Sequence, residues 1–199
     1  MSEKYLVFTG RPNAGKSSII REVIGLNVRI GKKPGTTRRI SEYPLSKGLI
    51  LVDMPGYGRT MRTTKRLQDE SNRRTLSFLE SNAQRIALAV HVLDISTFSE
   101  VTRRLEKKNI ISVDVDFIHL LTKALGEFPL VAANKTDKAD KEEIDANLEE
   151  FTQQVGSGSL IESCIFPVSA KTGDGLGYLK SAIHERLAAK GYRTPFKSH

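Results

Sequence analysis

Residues 10–17 read GRPNAGKS and match the spacing G-x-x-x-x-G-K-[ST]. Arg11, Pro12, Asn13 and Ala14 separate two glycines, and Gly15 is followed by Lys16, Ser17 and Ser18. Small residues at this spacing let backbone N–H groups turn inward around an anion. A helix starting there adds positive partial charge, equivalent to roughly half an elementary charge. Lys16 is placed to reach the β- and γ-phosphates of a nucleoside triphosphate, and the Ser17 hydroxyl can ligate Mg²⁺. The chemistry is phosphate binding, with Lys16 positioned to serve phosphoryl transfer. A plain glycine-containing turn would need neither the lysine nor the hydroxyl.

A second cluster, Asn134, Lys135, Thr136 and Asp137, reads NKTD and directly follows the apolar stretch LVAA. The Asp137 carboxylate can accept hydrogen bonds from both N1–H and the exocyclic amino group of guanine. Adenine offers neither donor there and would leave a buried carboxylate unpaired, at a cost of roughly several kcal/mol. The stem of Lys135 can lie over a base while Asn134 braces the neighbouring loops. Val168, Ser169, Ala170 and Lys171 follow another apolar stretch, where the Ala170 N–H can donate to guanine O6. A third cluster, Asp53, Met54, Pro55 and Gly56, ends the run LILV and continues as Tyr57, Gly58 and Arg59.

These clusters need strand ends to hold them. Tyr5–Thr9 is a short apolar run of strand type, and IIREVIG after the glycine loop has helical character. Residues 26–39 are basic and irregular. Ile40–Pro44 is expected as an edge strand, since proline suits an edge, and Leu49–Asp53 as a buried one. Another irregular stretch, 54–63, precedes a helix over Lys65–Gln84. Ile86–Ile95 is nearly all apolar, the mark of a strand covered on both faces, and its His91 is expected as a satisfied core residue. Residues 96–112 read as a charged connection.

Ser112 is placed to cap a helix over Val113–Leu125 that stops at Gly126. Leu130–Ala133 and Ile165–Val168 are further strands, and Asp140 with Glu143 opens a helix to about Val155. Asp174–Lys190 is the last helix. Strands alternating with helices predict an α/β fold. The expected sheet has six strands, mostly parallel with one antiparallel edge strand, and helices on both faces.

The chain has 199 residues, 39% hydrophobic and 27% charged, the composition of one globular domain. No apolar run approaches the roughly 20 residues that span a bilayer. The start MSEKYLVF lacks a signal-peptide pattern and a glycine at position 2, and the end TPFKSH lacks a prenylatable cysteine. These features predict a cytoplasmic protein without membrane attachment. The single cysteine, Cys164, is expected as a small core residue. The net charge is +8, and the segment from Arg29 to Arg74 carries twelve basic and four acidic residues, the whole of that excess. Such a concentration predicts a surface that faces a polyanion.

Taken together, GRPNAGKSS, PGTTR (34–38), DMPGYG (53–58), NKTD and VSAKTG (168–173) resemble the five ordered motifs of translation-factor-related P-loop GTPases. Within the TrmE-Era-EngA-EngB class, the single-domain length and the DMPGYG form most resemble the EngB (YihA/YsxC) family of ribosome-assembly GTPases. GRPNAGKSS and PGTTR are also similar to the TrmE and Era branch. The length, however, leaves no room for the large domains of TrmE or the KH domain of Era. NKTD differs from the TK-x-D common in bacterial EngB proteins.

The resemblance implies a Ras-like P-loop fold forming a single GTP-binding domain over 1–199, with switch segments at about 27–41 and 54–66. It implies GTP hydrolysis with Mg²⁺, slow intrinsic turnover, and a monomer acting in large-subunit assembly through GTP-dependent binding of ribosomal RNA. Gly35, Thr36 and Thr37 then face the nucleotide, with Thr37 on Mg²⁺ and the γ-phosphate. Asp53 holds Mg²⁺ through water, and the Gly56 N–H binds the γ-phosphate. Most of the twelve basic residues fall in or beside the two switch segments. A signalling or trafficking switch that binds protein effectors, and a P-loop kinase or ATPase, are the competing classes.

Tyr57 stands where Ras-like switches carry a water-orienting glutamine. It is expected to pack against the switch rather than to act on water. In related GTPases with an apolar or aromatic residue at this place, an asparagine at the position of Asn13 ligates K⁺ beside the phosphates. The resemblance therefore adds Asn13 and K⁺ to Lys16 and Thr37 as the expected catalytic set. Arg11 and Arg38 are further candidates for a charge beside the phosphates.

Overall fold

The computed structural model describes residues 3–26, 40–58, 65–107 and 112–194. Six strands form one sheet in the order β2-β3-β1-β4-β5-β6. They are β1 (Lys4–Gly10), β2 (Ser41–Ser46), β3 (Leu49–Asp53), β4 (Ile86–Asp94), β5 (Leu130–Asn134) and β6 (Ile165–Pro167). β2 runs antiparallel to β3, and every other pairing is parallel. Pro44 lies in the edge strand, where its missing N–H breaks no ladder.

Alternation along the central strands sends side chains to two cores. Leu6, Phe8, Leu88 and Val90 meet Ile19 and Ile20, together with Leu179, Ile183 and Leu187 of α7 (Leu176–Ala189). Residues of opposite parity face the other helices. Ala89 packs with Leu79 of α2 (Lys65–Asn82) and with Phe117 and Leu121 of α4 (Val113–Leu125). Leu93, Val131 and Ala133 pack with Ile118 of α4 and with Ile144 and Phe151 of α5 (Lys141–Val155). The expected architecture, with helices on both faces, is the observed one.

Local signals place the ends well. Gly126 closes α4 at φ 72°, a left-handed conformation that glycine adopts without a Cβ clash. Asp140 Oδ1 accepts from the Glu143 N–H at 2.8 Å and opens α5. Ser112 occupies the N-cap position of α4 but makes no side-chain cap bond.

Three expectations change. α1 is α-helical only over Lys16–Ile19, and Ile20–Ile24 continue it in π-helical winding up to Gly25 at φ 77°. The connection 96–112 contains a helix, α3 (Phe98–Glu106), whose Phe98 meets Phe151 edge-on at 5.2 Å between ring centres. A short helix, α6 (Ser159–Glu162), precedes β6. Cys164 and His91 are both buried, as expected. Among the described residues no helix is long and apolar enough to cross a membrane.

Candidate functional site

The parallel strands β1, β3, β4 and β5 end at one edge of the sheet, and their last residues are Gly10, Asp53, Asp94 and Asn134. Polar groups belong there because each strand's ladder stops and the following backbone needs new partners. The sequence motifs thus become neighbours in space.

Gly10 stands at φ 150° with no room for a side chain, since a Cβ would collide with the Val92 carbonyl of β4. Arg11 and Pro12 are half-buried, Asn13 is exposed at φ 69°, and Ala14 is buried. Asparagine tolerates this left-handed conformation better than most residues. Gly15, at φ 100°, caps α1, and its missing Cβ leaves space for the Asn134 amide. Lys16 is buried and forms an ion pair with Asp53 at the end of β3. Ser17 and Ser18 are half-buried beside it.

The turn after β3 folds onto this loop. The Met54 N–H donates to the Phe8 carbonyl at 3.0 Å, and the Tyr57 N–H donates to the Gly10 carbonyl at 3.1 Å. Met54 and Pro55 are buried. A Cβ on Gly56 would stand 2.7 Å from Pro12 Cγ, so only glycine lets the turn lie against the loop. Tyr57 packs its ring on Phe117 of α4 at 4.5 Å, a contact with a helix rather than the expected packing against the switch.

The second half of the site is cross-linked through Asn134. Its Nδ2 donates to the Ala14 carbonyl at 2.8 Å, and its Oδ1 accepts from the Ala170 N–H at 3.0 Å. One buried amide therefore ties the phosphate loop to the loop after β6. The Ala170 N–H, expected to serve a base carbonyl, is already engaged here, because Asn134 Oδ1 is buried and needs a donor. Lys135 adopts φ 72° and pairs with Asp94, whose other oxygen accepts from Ser96 Oγ at 2.6 Å.

The Thr136 N–H donates to the Val168 carbonyl at 3.3 Å. Asp137 accepts from Ser169 Oγ at 2.6 Å and has Lys171 Nζ at 3.5 Å. The Ser169 hydroxyl, and secondarily a backbone donor and Lys171, hold the Asp137 carboxyl below the usual carboxylate range, with partial burial opposing them. Ser169 Oγ also accepts from the Lys171 and Thr172 N–H groups at 3.2 and 3.1 Å.

Gly35, Thr36, Thr37 and Arg38, and the basic residues at 27–39 and 59–64, lie outside the described residues. Among the described residues no cluster of three or more His, Cys, Asp or Glu could hold a metal. The expected Mg²⁺ set is of another kind, hydroxyls and one carboxylate completed by phosphate oxygens. The buried Lys16–Asp53 pair fits that arrangement, because it concentrates one cation and one anion where phosphates and a metal would each find a partner.

Sequence reasoning missed Asp94, Ser96 and Asp114. Asp94 carried a signal, since a strand-terminal Asp resembles Asp53, and the register sets it beside Asn134. Asp114 carried a weaker one, an acid in the first turn of an apolar helix.

A family model described as 50S ribosome-binding GTPase matches residues 5–135. The chain is 38% identical over 185 residues to the probable GTP-binding protein EngB of Methanosarcina mazei, covering 92% of this chain and 87% of that one. It is 35% identical over 192 residues to the probable EngB of Methanopyrus kandleri, covering 94% of each. A crystal structure of a probable GTP-binding protein EngB superposes with a TM-score of 0.82 at 35% identity, over 93% of this chain and 99% of that one. An Aquifex aeolicus Era variant bound to GDP and aluminium fluoride, at 21% identity and TM-score 0.61, covers 92% of this chain and 56% of its own and shares the fold. With its phosphate loop, its Asp53 turn and its Asn134 bridge on one sheet edge, the chain belongs to the EngB family of GTP-binding proteins, within the 50S ribosome-binding GTPases.

Proposed function

We propose that this chain is a single-domain, GTP-hydrolysing switch that acts in large ribosomal subunit assembly by binding ribosomal RNA in its GTP state. The observation that carries the reading is the Asn134 bridge, which ties the phosphate loop that contains buried Lys16 to the loop whose Ser169 binds the Asp137 carboxylate. Guanine pairs its N1–H and amino group with Asp137, and the Lys135 stem, anchored at Asp94, lies along the base. Ala170 shares its N–H between Asn134 and guanine O6. Backbone N–H groups of Gly10–Ser18 enclose the phosphates, and Lys16 exchanges Asp53 for the β- and γ-phosphates. Gly56, pressed against Pro12, offers its N–H to the γ-phosphate.

Ser17, Thr37 and Asp53 would hold Mg²⁺, which when bound neutralises charge developing on the phosphate oxygens. Asn13 is exposed at the loop tip, where an Asn carbonyl oxygen can face K⁺. Gly35–Thr37 and Gly56 flank the γ-phosphate, so its loss on hydrolysis releases the two basic segments around them. The reading carries with it the cytoplasmic monomer expected above.

The test is co-sedimentation with large-subunit particles in GDP and in a non-hydrolysable GTP analogue, at several salt concentrations. Retention only with the analogue, falling steeply with salt, is expected. Equal retention in both nucleotides would sink the switch. Comparing hydrolysis in K⁺ and in Na⁺, for the natural chain and for Asn13→Ala, tests the role of the monovalent ion. Indifference of the natural chain to the cation removes it.

A further inference from the structure

Four polar side chains, three buried and one half-buried, form a chain beside the phosphate loop, and the three buried ones, Thr9, His91 and Asp114, lie outside the nucleotide motifs. Asp114 stands in the first turn of α4 and is 4% exposed. Its Oδ1 lies 3.2 Å from His91 Nε2 of β4, and its Oδ2 lies 3.5 Å from Arg11 Nη1. His91 Nδ1 in turn lies 3.0 Å from Thr9 Oγ1. Thr9 and Arg11 flank Gly10, so Asp114 reaches both sides of the point where β1 becomes the phosphate loop. An interior carboxylate is costly unless paired, and Arg11 is the cation that it meets. Arg11 is thereby directed toward α4, away from the free position that a built-in catalytic finger requires.

The same end of α4 also receives the turn that carries Gly56. Tyr57 lies on Phe117, whose ring centre is 5.8 Å from that of His91. A Cβ on Gly58 would stand 2.9 Å from Val113 Cγ1, so this glycine sits directly against the helix. The Gly58 N–H donates to Asn72 Oδ1 of α2 at 3.1 Å. Thr9, Arg11, Tyr57 and Gly58 therefore all bear on residues 113–117 or on His91 beneath them.

We propose that Asp114 is a positioning residue, which ties Arg11 and the start of the phosphate loop to the helix end that also seats Tyr57 and Gly58. The loop and the Gly56 turn are then held in fixed relation, as in-line phosphoryl transfer demands of groups on both sides of a γ-phosphate. The proposal rests on the reading of those two segments as phosphate contacts. It assigns no proton transfer to His91, which acts as the buried hub between Thr9 and Asp114.

Single-turnover GTP hydrolysis and GDP affinity of Asp114→Asn, Arg11→Ala and the double variant test it. Each single variant is expected to slow hydrolysis about tenfold, the weight of one partly exposed charge-assisted hydrogen bond. GDP affinity should fall clearly less than the hydrolysis rate, because the base half of the site does not run through α4. The double variant should also lose only about tenfold, since both changes remove the same contact. Additive losses, unaltered rates, or equal losses in hydrolysis and GDP affinity would overturn the bracket.

Should Asp114→Asn fail to fold, Arg11→Lys carries the test. It keeps a cation in reach and must recover most of the rate lost in Arg11→Ala, and failure to recover overturns the proposal. If the natural chain does not bind GTP, the phosphate reading itself falls, an outcome distinct from failure of the bracket in an active protein.

Discussion

The two halves of the site are built differently. The side formed by Asn134–Asp137 and Val168–Lys171 is cross-linked by neutral and charge-assisted hydrogen bonds of 2.6–3.2 Å through Asn134 and Ser169. Its acceptor, Asp137, is already ionised and oriented. The side formed by Gly10–Ser18 and Asp53–Gly58 is joined by backbone hydrogen bonds, glycine contacts and the Arg11–Asp114 contact, and its one buried ion pair is Lys16 with Asp53, whose members serve as each other's partner. The first half suits constant recognition of one base. The second has charges that a phosphate and a metal can take over, which suits a group that is present in one state and gone in the next.

The contrast breaks most sharply at the ion pair. Lys16→Ala leaves the Asp53 carboxylate buried without a cation and should destabilise the nucleotide-free chain by about 3–5 kcal/mol. Replacing both residues with apolar ones of similar size, Lys16→Met with Asp53→Leu, should recover most of that stability while nucleotide binding stays lost. Urea unfolding without nucleotide measures both. A double variant as unstable as the single would mean that the pair is not what satisfies this half.

Asn134→Ala probes the other half. It leaves the Ala14 carbonyl and the Ala170 N–H without their partner and should cost about 2–3 kcal/mol. Because the Asn134 amide occupies the space above Gly15, the same change should relieve part of the clash of Gly15→Ala. Gly15→Ala still meets the strain of φ 100°, about 1–2 kcal/mol, so the two substitutions together should cost less than their sum. Unfolding midpoints of the four proteins close that cycle, and strict additivity would deny the contact.

In both halves the contiguous strings were legible in the sequence and the distant partners were not. GRPNAGKS and NKTD were legible because each is a contiguous string directly after an apolar strand run, and NKTD gains its meaning from following a phosphate loop. Strand ends were legible too, since β3 and the limits of α4 follow from an apolar run and from Ser112 and Gly126. α3 was not, because Arg103, Arg104 and Lys107 solvate its outer face and mask the inward Phe98 and Thr102. Nor was π-helical winding over Ile20–Ile24, for which residue type offers no cue. Asp94, Asp114 and the engagement of Ala170 depend on partners 23 to 103 positions away, at His91, Asn134, Lys135 and Arg11, and no local pattern announces them.

Acidification sharpens the comparison at smaller amplitude. Asp137 has its folded pKa depressed by Ser169, so its stabilising contribution is full above the ordinary carboxylate range, near pH 4. That contribution is lost as pH falls through the depressed folded value. The stability difference between the natural chain and Ser169→Ala should therefore be about 1 kcal/mol at pH 7 and shrink below about pH 4. Unfolding free energies across pH 3–7 check the sign, and a difference that grows on acidification would reverse the assignment.

The smallest effect is expected at Asp94. It anchors Lys135 in a half-buried ion pair and accepts from Ser96, outside the Asn134 and Ser169 bonds that join the two loops. Asp94→Asn keeps the Ser96 contact and weakens only the ionic one, for about 0.5–1 kcal/mol. Since Lys135 sits in a left-handed conformation held by the following Thr136–Val168 bond, its backbone should not move. On the proposed reading only the lysine stem loosens, and guanine nucleotide affinity falls about threefold through faster release. Stopped-flow release of a fluorescent GDP analogue measures this. An effect as large as that of Asn134→Ala would show that base recognition is no more prebuilt than the phosphate side, and the contrast between the halves would collapse.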